Sequence, residues 1–169
     1  MFDASAFAVS VPELRALLSR LGEPVSDATD ADLLDEIEAL ERLKSACAAR
    51  QARLSVAFDE SQQAQQRLQG VPAQRLGRGV AEQVALARRE SPSQGSRHLG
   101  LAKALVREMP NALAALTAGD ISEWTATVAV RETACLAADD RRQVDAELAA
   151  RLATSGPAEI GRAAWASAS

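Results

Sequence analysis

The sequence predicts an all-α protein. Aromatic residues make up only 3% of the 169 residues and tyrosine is absent, whereas alanine is abundant throughout. Alanine is the strongest helix former and a poor strand residue. Runs with the period-two alternation of strands are absent, and apolar residues instead recur three and four positions apart. We therefore expect a long N-terminal helix followed by a bundle of short helices that includes a helix-turn-helix-like hairpin.

Residues 1–28 are expected to form a short docking helix and a linker. Ser10 is placed to cap this helix, and Pro12 suits its first turn. Gly22 and Pro24 are expected to end it. One face of the helix is apolar and is formed by Val11, Leu14, Leu17, Leu18 and Leu21. A short helix with a single apolar face needs a surface on which to dock.

Residues 29–69 predict one long helix. Thr29 and Asp32 have the spacing of a capping box, and neither Gly nor Pro interrupts residues 30–69. Two seven-residue ladders run along it: Leu33, Leu40, Cys47, Leu54, Ser61 and Leu68, and Ile37, Lys44, Gln51, Phe58 and Gln65. This is the periodicity of a coiled coil with an imperfect core. Two interpretations stay open: a homodimer joined through this helix, or a helix that lies across its own bundle, its stripe widened by Leu34, Leu43 and Val56.

Residues 70–169 are expected to form a helical domain. Gly70, Val71 and Pro72 break the long helix, and a loop rich in Gly and Arg follows as far as residue 79. A helix-turn-helix-like segment then spans about residues 80–109. Its first helix has Val80, Val84 and Ala87 on the inner face, and residues 91–95 are expected to turn the chain. The inward side chains of its second helix are Leu99, Ala102, Leu105, Val106 and Met109.

Four further helices are expected in the remainder of the chain. They begin at Pro110, after the cap Ser122, at residues 138–140 and after the break at residues 155–157. The inward side chains expected on the second of these helices and just beyond it are Trp124, Val128 and Cys135. The last helix carries Trp165 and lacks a visible packing partner. We therefore expect the chain to be truncated at its C-terminus, as a fragment of a longer protein.

Charge is divided unevenly along the chain. Residues 1–45 hold ten acidic and four basic residues, a net of −6, whereas residues 67–107 hold eight basic and two acidic residues, a net of +6. In a helix-turn-helix the start of the second helix meets base edges, and other cations bind phosphates. The predicted DNA-contacting residues are Arg75, Arg78, Arg88, Arg89, Ser96, Arg97, His98 and Lys103. In the alternative interpretation, the acidic front of the chain packs against its basic middle.

The sequence contains little that could support catalysis. His98 is the single histidine, which excludes a two-histidine metal site, and no nucleophile or nucleotide-binding motif is present. Cys47 and Cys135 are expected to be small buried hydrophobes. We expect no metal, no cofactor and no small-molecule substrate.

The sequence also predicts a cytoplasmic protein. The N-terminal segment lacks a basic region and carries Asp3, unlike a secretory signal. No apolar run approaches the roughly 20 residues that a membrane-spanning helix needs.

Residues 86–149 resemble a known family. The matching elements are Leu86 to Arg89, Ser91-Pro92, Gly95, residues 110–116, residues 119–124, Arg131 to Thr133 and residues 145–148. Together they are similar to the helical domain of unknown function 222, the N-terminal region of the 13E12 repeat proteins. These proteins are abundant in actinobacteria, and an HNH endonuclease module usually follows this region. The long helix from Leu33 is similar in kind.

The resemblance implies a binding role and no catalytic residue. The nuclease of such proteins would lie in a C-terminal His-Asn-His module, which this sequence does not contain. The order of a helix-turn-helix, a proline-started helix and the segment AGDIS also resembles the DNA-reading central domain of ParB-type partition proteins. Three hypotheses follow: a non-catalytic module that binds double-stranded DNA or positions a nuclease, a helical dimerisation module, and a truncated remnant of an HNH endonuclease.

Overall fold

The computed structural model describes residues 9–25 and 27–167, and in that part the chain forms helices and no strands. The all-α prediction is confirmed. The helices are α1 (Val11–Arg20), α2 (Asp30–Leu68), α3 (Val80–Arg88), α4 (Pro92–Glu108), α5 (Pro110–Ala118), α6 (Glu123–Glu132), α7 (Ala138–Leu152) and α8 (Pro157–Ser167). Predictions for residues 1–8, 26 and 168–169, which include the beginning of the docking segment and the end of the chain, lie outside the described residues.

The chain divides into two compact units, Met1–Ile37 and Glu38–Ser169, each described by itself. In the first unit, Ser10 and Glu13 form a capping box at the start of α1, and Pro12 lies in its first turn. Thr29 and Asp32 form a second box at the start of α2, where the Asp32 amide donates to Thr29 Oγ1 over 3.3 Å. Val11, Leu14 and Leu18 of α1 are exposed, Leu17 is half-buried, and none of the residues of α1 is buried.

In the second unit, α2 packs against the bundle through small side chains. Its buried residues are Ser45, Ala48, Ala49, Ala52, Val56 and Asp59. Ala48 and Ala49 join the main core, and Ala52 and Val56 pack on Ala102 of α4. The helix therefore lies across its own bundle, but through an alanine stripe that the heptad pattern did not predict.

The first heptad ladder lies on the opposite side of α2 from this stripe. Successive residues turn by about 100° around a helix, so Leu54 lies about 200° from the buried Ala52. Leu54 is 53% exposed and Leu68 is 89% exposed. Within Glu38–Ser169, this ladder forms no part of the core.

The main core gathers side chains from α4, α5, α7 and α8 around Leu105, Met109, Leu116, Leu148 and Ile160, all of which are fully buried. One buried carboxylate ties two of these helices together. Asp145 of α7 accepts hydrogen bonds from the amides of Asn111 (2.8 Å) and Ala112 (2.9 Å). It thereby satisfies backbone donors in the first turn of α5, which has no cap side chain of its own.

Several helix limits were predicted from the caps and breaks. Pro110 begins α5, Gly119 ends it with a φ of 78°, and the Ser122 hydroxyl accepts from the Thr125 amide at the start of α6. Gly119 also allows close packing, since a Cβ there would lie 2.7 Å from Cβ of Arg42. The position of α2 against the end of α5 therefore depends on this glycine.

Four expectations about buried side chains are wrong. Trp124 is 59% exposed, and both Cys47 and Cys135 are exposed. The inner face of α6 is instead formed by Thr125, Ala126, Val128 and Ala129. Small side chains let α6 approach its neighbours closely, so the large ring of Trp124 points outward. Similarly, Ala85 is buried on α3 in place of the predicted Ala87.

Within the described ranges, no helix is both long and apolar enough to cross a membrane.

Candidate nucleic-acid interface

The basic segment folds as two helices joined by a tight turn. Helix α3 ends at Arg88, Arg89 adopts a left-handed conformation with a φ of 59°, and α4 begins at Pro92. The connection is therefore residues 89–91, a length typical of helix-turn-helix units. The predicted turn at residues 91–95 is wrong. Ser91 forms a capping box with Gln94 and Pro92 occupies the first helical position, so the Ser-Pro pair starts a helix.

Gly95 sets the distance between the two helices. A Cβ at this position would lie 2.5 Å from the Ala81 carbonyl oxygen and 2.5 Å from the Ala85 Cβ. Contacts this short do not occur between real atoms. A side chain larger than glycine would therefore fit at position 95 only if α3 and α4 moved apart. The small residues Gly95 and Ala85 therefore form the closest contact of the hairpin.

Arg88 is engaged inside the fold. Its side chain is only 17% exposed, and Nε donates to Glu90 Oε1 over 3.0 Å. A second nitrogen of the guanidinium lies 3.6 Å from Glu123 of α6, and the third donates to the Gln51 side chain of α2. Arg88 thus links the hairpin to two other helices.

His98 joins the same network. Its Nδ1 lies 2.6 Å from Glu90 Oε2, and its Nε2 lies 3.9 Å from Glu123 Oε1. Burial acts to raise the pKa of Glu90, but hydrogen bonds from His98 and Arg88 and the charge of Arg88 outweigh it, so the pKa is lowered. Glu90 is therefore held ionised beneath the turn, where it braces both helices.

Lys103 and Arg107, further along α4, meet a buried carboxylate of α2. Lys103 Nζ lies 2.9 Å from Asp59 Oδ2, and Arg107 lies 3.9 Å from the same oxygen and 3.0 Å from Glu60. Asp59 is fully buried, and its Oδ1 has no hydrogen-bond partner within the described structure. Because a buried carboxylate needs a compensating cation, Lys103 is required by the fold.

The loop before α3 presents two arginines. Gln66 of α2 accepts from the Gly77 amide over 2.7 Å and donates to the Arg78 carbonyl over 3.2 Å, which fixes the loop on the long helix. Gly77 and Gly79 have positive φ values of 77° and 84°, so the chain turns sharply on both sides of Arg78. The side chains of Arg75 and Arg78 are exposed.

The predicted site residues therefore fall into two groups. Arg88, His98 and Lys103 are held by carboxylates of the fold. The exposed residues, for which the described structure shows no carboxylate partner, are Arg75, Arg78, Arg89, Ser96 and Arg97. Ser96 and Arg97 lie in the first turns of α4, and Arg89 lies at the turn itself. The positive charge available to a ligand is smaller than the sequence total and is divided between the loop before α3, the turn and the start of α4.

A groove between α4 and α6 adjoins Arg97. It is lined by Gln94, Arg97, His98, Leu101, Glu123, Trp124 and Thr127. The sequence interpretation missed Trp124 as a surface residue. The stripe of Ala126 and Ala129 gives the signal that could have revealed it, because small residues mark the packed face of a helix and place its large neighbour outside. Across the described residues, no three metal-binding side chains come together.

Comparison with known proteins found no matching family model, no similar curated protein and no similar solved structure.

Proposed function

We propose that this chain is a non-catalytic module that binds double-stranded DNA through α3 and α4. The observation that carries the proposal is the hairpin itself: a three-residue connection, a close Gly95–Ala85 contact and an exposed start of α4. In helix-turn-helix proteins this part of the second helix enters the major groove. Ser96 and Arg97 are the residues placed to contact base edges.

The exposed arginines supply the phosphate contacts in this proposal. Arg89 extends from the turn, and Arg75 and Arg78 extend from the loop before α3. Their guanidinium groups can form bidentate hydrogen bonds to phosphate. Arg88, His98 and Lys103 support the same surface from within, since their carboxylate partners hold the turn and α4 in place. In this proposal, these three residues position the surface and do not contact the DNA themselves.

Duplex binding at low salt tests the proposal. The double variant Arg89→Ala/Arg97→Ala removes one phosphate contact and one base contact, and we expect it to weaken binding at least tenfold. Arg151→Ala is the matched control, because Arg151 is exposed on α7, away from the hairpin. Equal affinity of the double variant, the control and the wild type for duplex DNA would end the proposal.

The family resemblance gives this proposal a context. We propose that the chain belongs with the 13E12 repeat proteins and acts in the cytoplasm, where it would place an HNH endonuclease module on DNA. The support is the set of matching residues within 86–149. Expression of the chain fused to an active nuclease domain tests this role. Cleavage should then depend on Arg97, and cleavage indifferent to Arg97→Ala would count against it.

A second candidate function is dimerisation through α2. The observation that favours it is the first heptad ladder, which lies on the side of α2 opposite the alanine stripe. The side chains of Leu54 and Leu68 in this ladder are 53% and 89% exposed. A partner helix with the same seven-residue period would cover this line. Sedimentation at high micromolar concentration should show a dimer that Leu54→Glu dissociates. A monomer at that concentration would exclude this function.

A further inference from the structure

Both tryptophans of the chain line one groove. Trp124 of α6 is 59% exposed and Trp165 of α8 is 63% exposed, and the groove between these helices is bordered by both rings. A contiguous exposed apolar surface marks a binding site more often than single exposed side chains do. The grouping of the two rings therefore indicates a ligand with apolar or planar surfaces.

Close packing of two helices forms the floor of the groove. A Cβ on Gly161 of α8 would lie 2.8 Å from Cγ1 of Val128 on α6, so only glycine allows this approach. Ile160 and Ala164, on the inner side of α8, are fully buried in the main core. The two helices that carry the tryptophans are thus packed closely against each other and against the core.

The polar lining of the groove is rich in arginine. Arg131 and Arg162 border it, and the carboxylate that lines it, Glu132, is bound by Arg131 over 2.9 Å. Arg162 is exposed, and the described structure shows no carboxylate within ion-pair distance of it. The charge left over at the groove is positive, so an anionic ligand is favoured over a neutral or cationic one.

The groove continues into the one beside α4 through a shared residue. Trp124 lines both, and the second groove holds Arg97 together with Glu123, which lies 3.6 Å from Arg88. The two grooves together hold the cationic side chains of Arg97, Arg131 and Arg162 and the aromatic side chains of Trp124 and Trp165. Cations beside planar rings suit an anionic chain that carries planar bases.

We propose that these grooves form a binding track for single-stranded DNA. In such sites, aromatic side chains stack on successive bases and cations follow the phosphates, with little dependence on sequence. Trp124 and Trp165 stack on bases, and Arg97, Arg131 and Arg162 bind the backbone between them. The track shares Arg97 with the duplex surface but otherwise depends on residues outside it. A strand leaving a duplex at the start of α4 would enter the track at Trp124.

Binding of labelled oligo-dT, about 20 nucleotides long, to the full chain tests this track. Trp124→Ala and Trp165→Ala should each raise the Kd for oligo-dT by roughly 5- to 100-fold, the range expected from loss of one stacked base. Both variants should keep the duplex affinity within about twofold. Trp124→Phe should recover part of the binding, since a phenyl ring also stacks. Each single Trp variant leaves one tryptophan, whose emission oligo-dT should quench.

Matched controls separate this track from general surface effects. Leu86→Ala removes an apolar side chain that is 79% exposed on α3, and Arg151→Gln removes an arginine on α7. Neither should change oligo-dT binding, whereas Arg162→Gln should weaken it.

The outcomes distinguish the track from the duplex surface. If duplex binding is absent but oligo-dT binding depends on both tryptophans, the duplex proposal fails and the track stands. Oligo-dT binding that is absent at low salt, or that is unaffected by both Trp→Ala variants, overturns the track. A wild-type dimer that Trp165→Ala converts to a monomer would also overturn it, because the groove would then belong to a second copy.

Discussion

Gly95 is the single residue on which the geometry of the hairpin depends most directly. Glycine within a helix normally costs stability relative to alanine, so its presence in α4 calls for a physical reason. The reason is that a Cβ at position 95 would lie 2.5 Å from the carbonyl oxygen of Ala81 and 2.5 Å from the Cβ of Ala85, both on α3. A larger side chain would force the helices apart and shift the exposed start of α4.

Two glycines of α4 provide a matched test of this account. Gly95→Ala should destabilise the protein by about 1–3 kcal/mol, because overpacking outweighs the gain in helix propensity. Gly100→Ala should stabilise it by about 1 kcal/mol, since a Cβ added on this exposed turn would meet no neighbouring atom within 4 Å. Urea unfolding measures both. Equal and favourable effects of the two substitutions would show that α3 and α4 are not in contact at Gly95.

The lowered pKa of Glu90 predicts that the protein loses stability at acid pH. Its pKa is lowered from the ordinary value of 4.5. Because the pKa of Glu90 is lower in the folded state, its ionised carboxylate stabilises the fold fully above pH 4.5. This stabilisation is lost as the pH falls through the folded-state pKa of Glu90. Urea unfolding between about pH 7 and pH 3 should therefore show a steeper acid loss in the wild type than in Glu90→Gln.

Glu82→Gln, which removes an exposed carboxylate from α3, controls for the change in net charge. Parallel pH profiles of the wild type and Glu90→Gln would contradict the role assigned to the carboxylate beneath the turn.

The sequence predicted which residue types supply positive charge but not which of them stay available. The partners of Arg88 and Lys103 include Glu123 and Asp59, which are 35 and 44 positions away in the sequence. Pairing over such separations depends on how helices pack, and periodicity carries no information about it. Arg89 and Arg97 were identified together with Arg88, although the structure gives them different surroundings.

At the scale of elements, caps were the most reliable local signal. Ser10, Thr29 and Ser122 each cap the helix predicted for them, and Gly119 ends α5 as expected. The same chemistry explains the misplaced turn, because Ser91-Pro92 satisfies the rules for a turn and for a helix start alike. Distinguishing them required knowing that Arg89, rather than a glycine, takes the left-handed conformation.

The α2 ladder shows where periodicity becomes ambiguous. An alanine stripe packs on the bundle, and alanine contributes little to an apolar pattern dominated by leucine. The leucine ladder was therefore the stronger signal although it lies on the outer side. A helix with two usable faces cannot be assigned one of them from its period alone.

The contact between α5 and α7 depends on one buried carboxylate. Asp145→Ala would leave the amides of Asn111 and Ala112 without their acceptor in a buried position, and we expect a loss of about 2–4 kcal/mol. Asp145→Asn keeps one acceptor oxygen in the same shape and should cost less. Thermal and urea unfolding compare the two variants. A smaller loss for Ala than for Asn would contradict the capping role.

At the scale of the whole molecule, the net charge of −4 does not show how the basic residues are divided between internal ion pairs and the surface. Of the eight basic residues between 67 and 107, Arg88, Lys103 and Arg107 form ion pairs with carboxylates in the described structure. The exposed arginines lie in the loop before α3, at the turn and at the start of α4. Internal ion pairs thus hold the hairpin in place, and the remaining cations are the ones that the proposed duplex contact would use.

The salt dependence of duplex binding tests this account most directly. If Arg75, Arg78 and Arg89 neutralise phosphates, the logarithm of the association constant should fall with the logarithm of salt concentration with a slope of about −3. Arg89→Ala should reduce the magnitude of that slope by about one, whereas Arg151→Ala, which removes an exposed arginine on α7, should leave it unchanged. A duplex affinity that is absent at low salt or insensitive to salt would contradict the account.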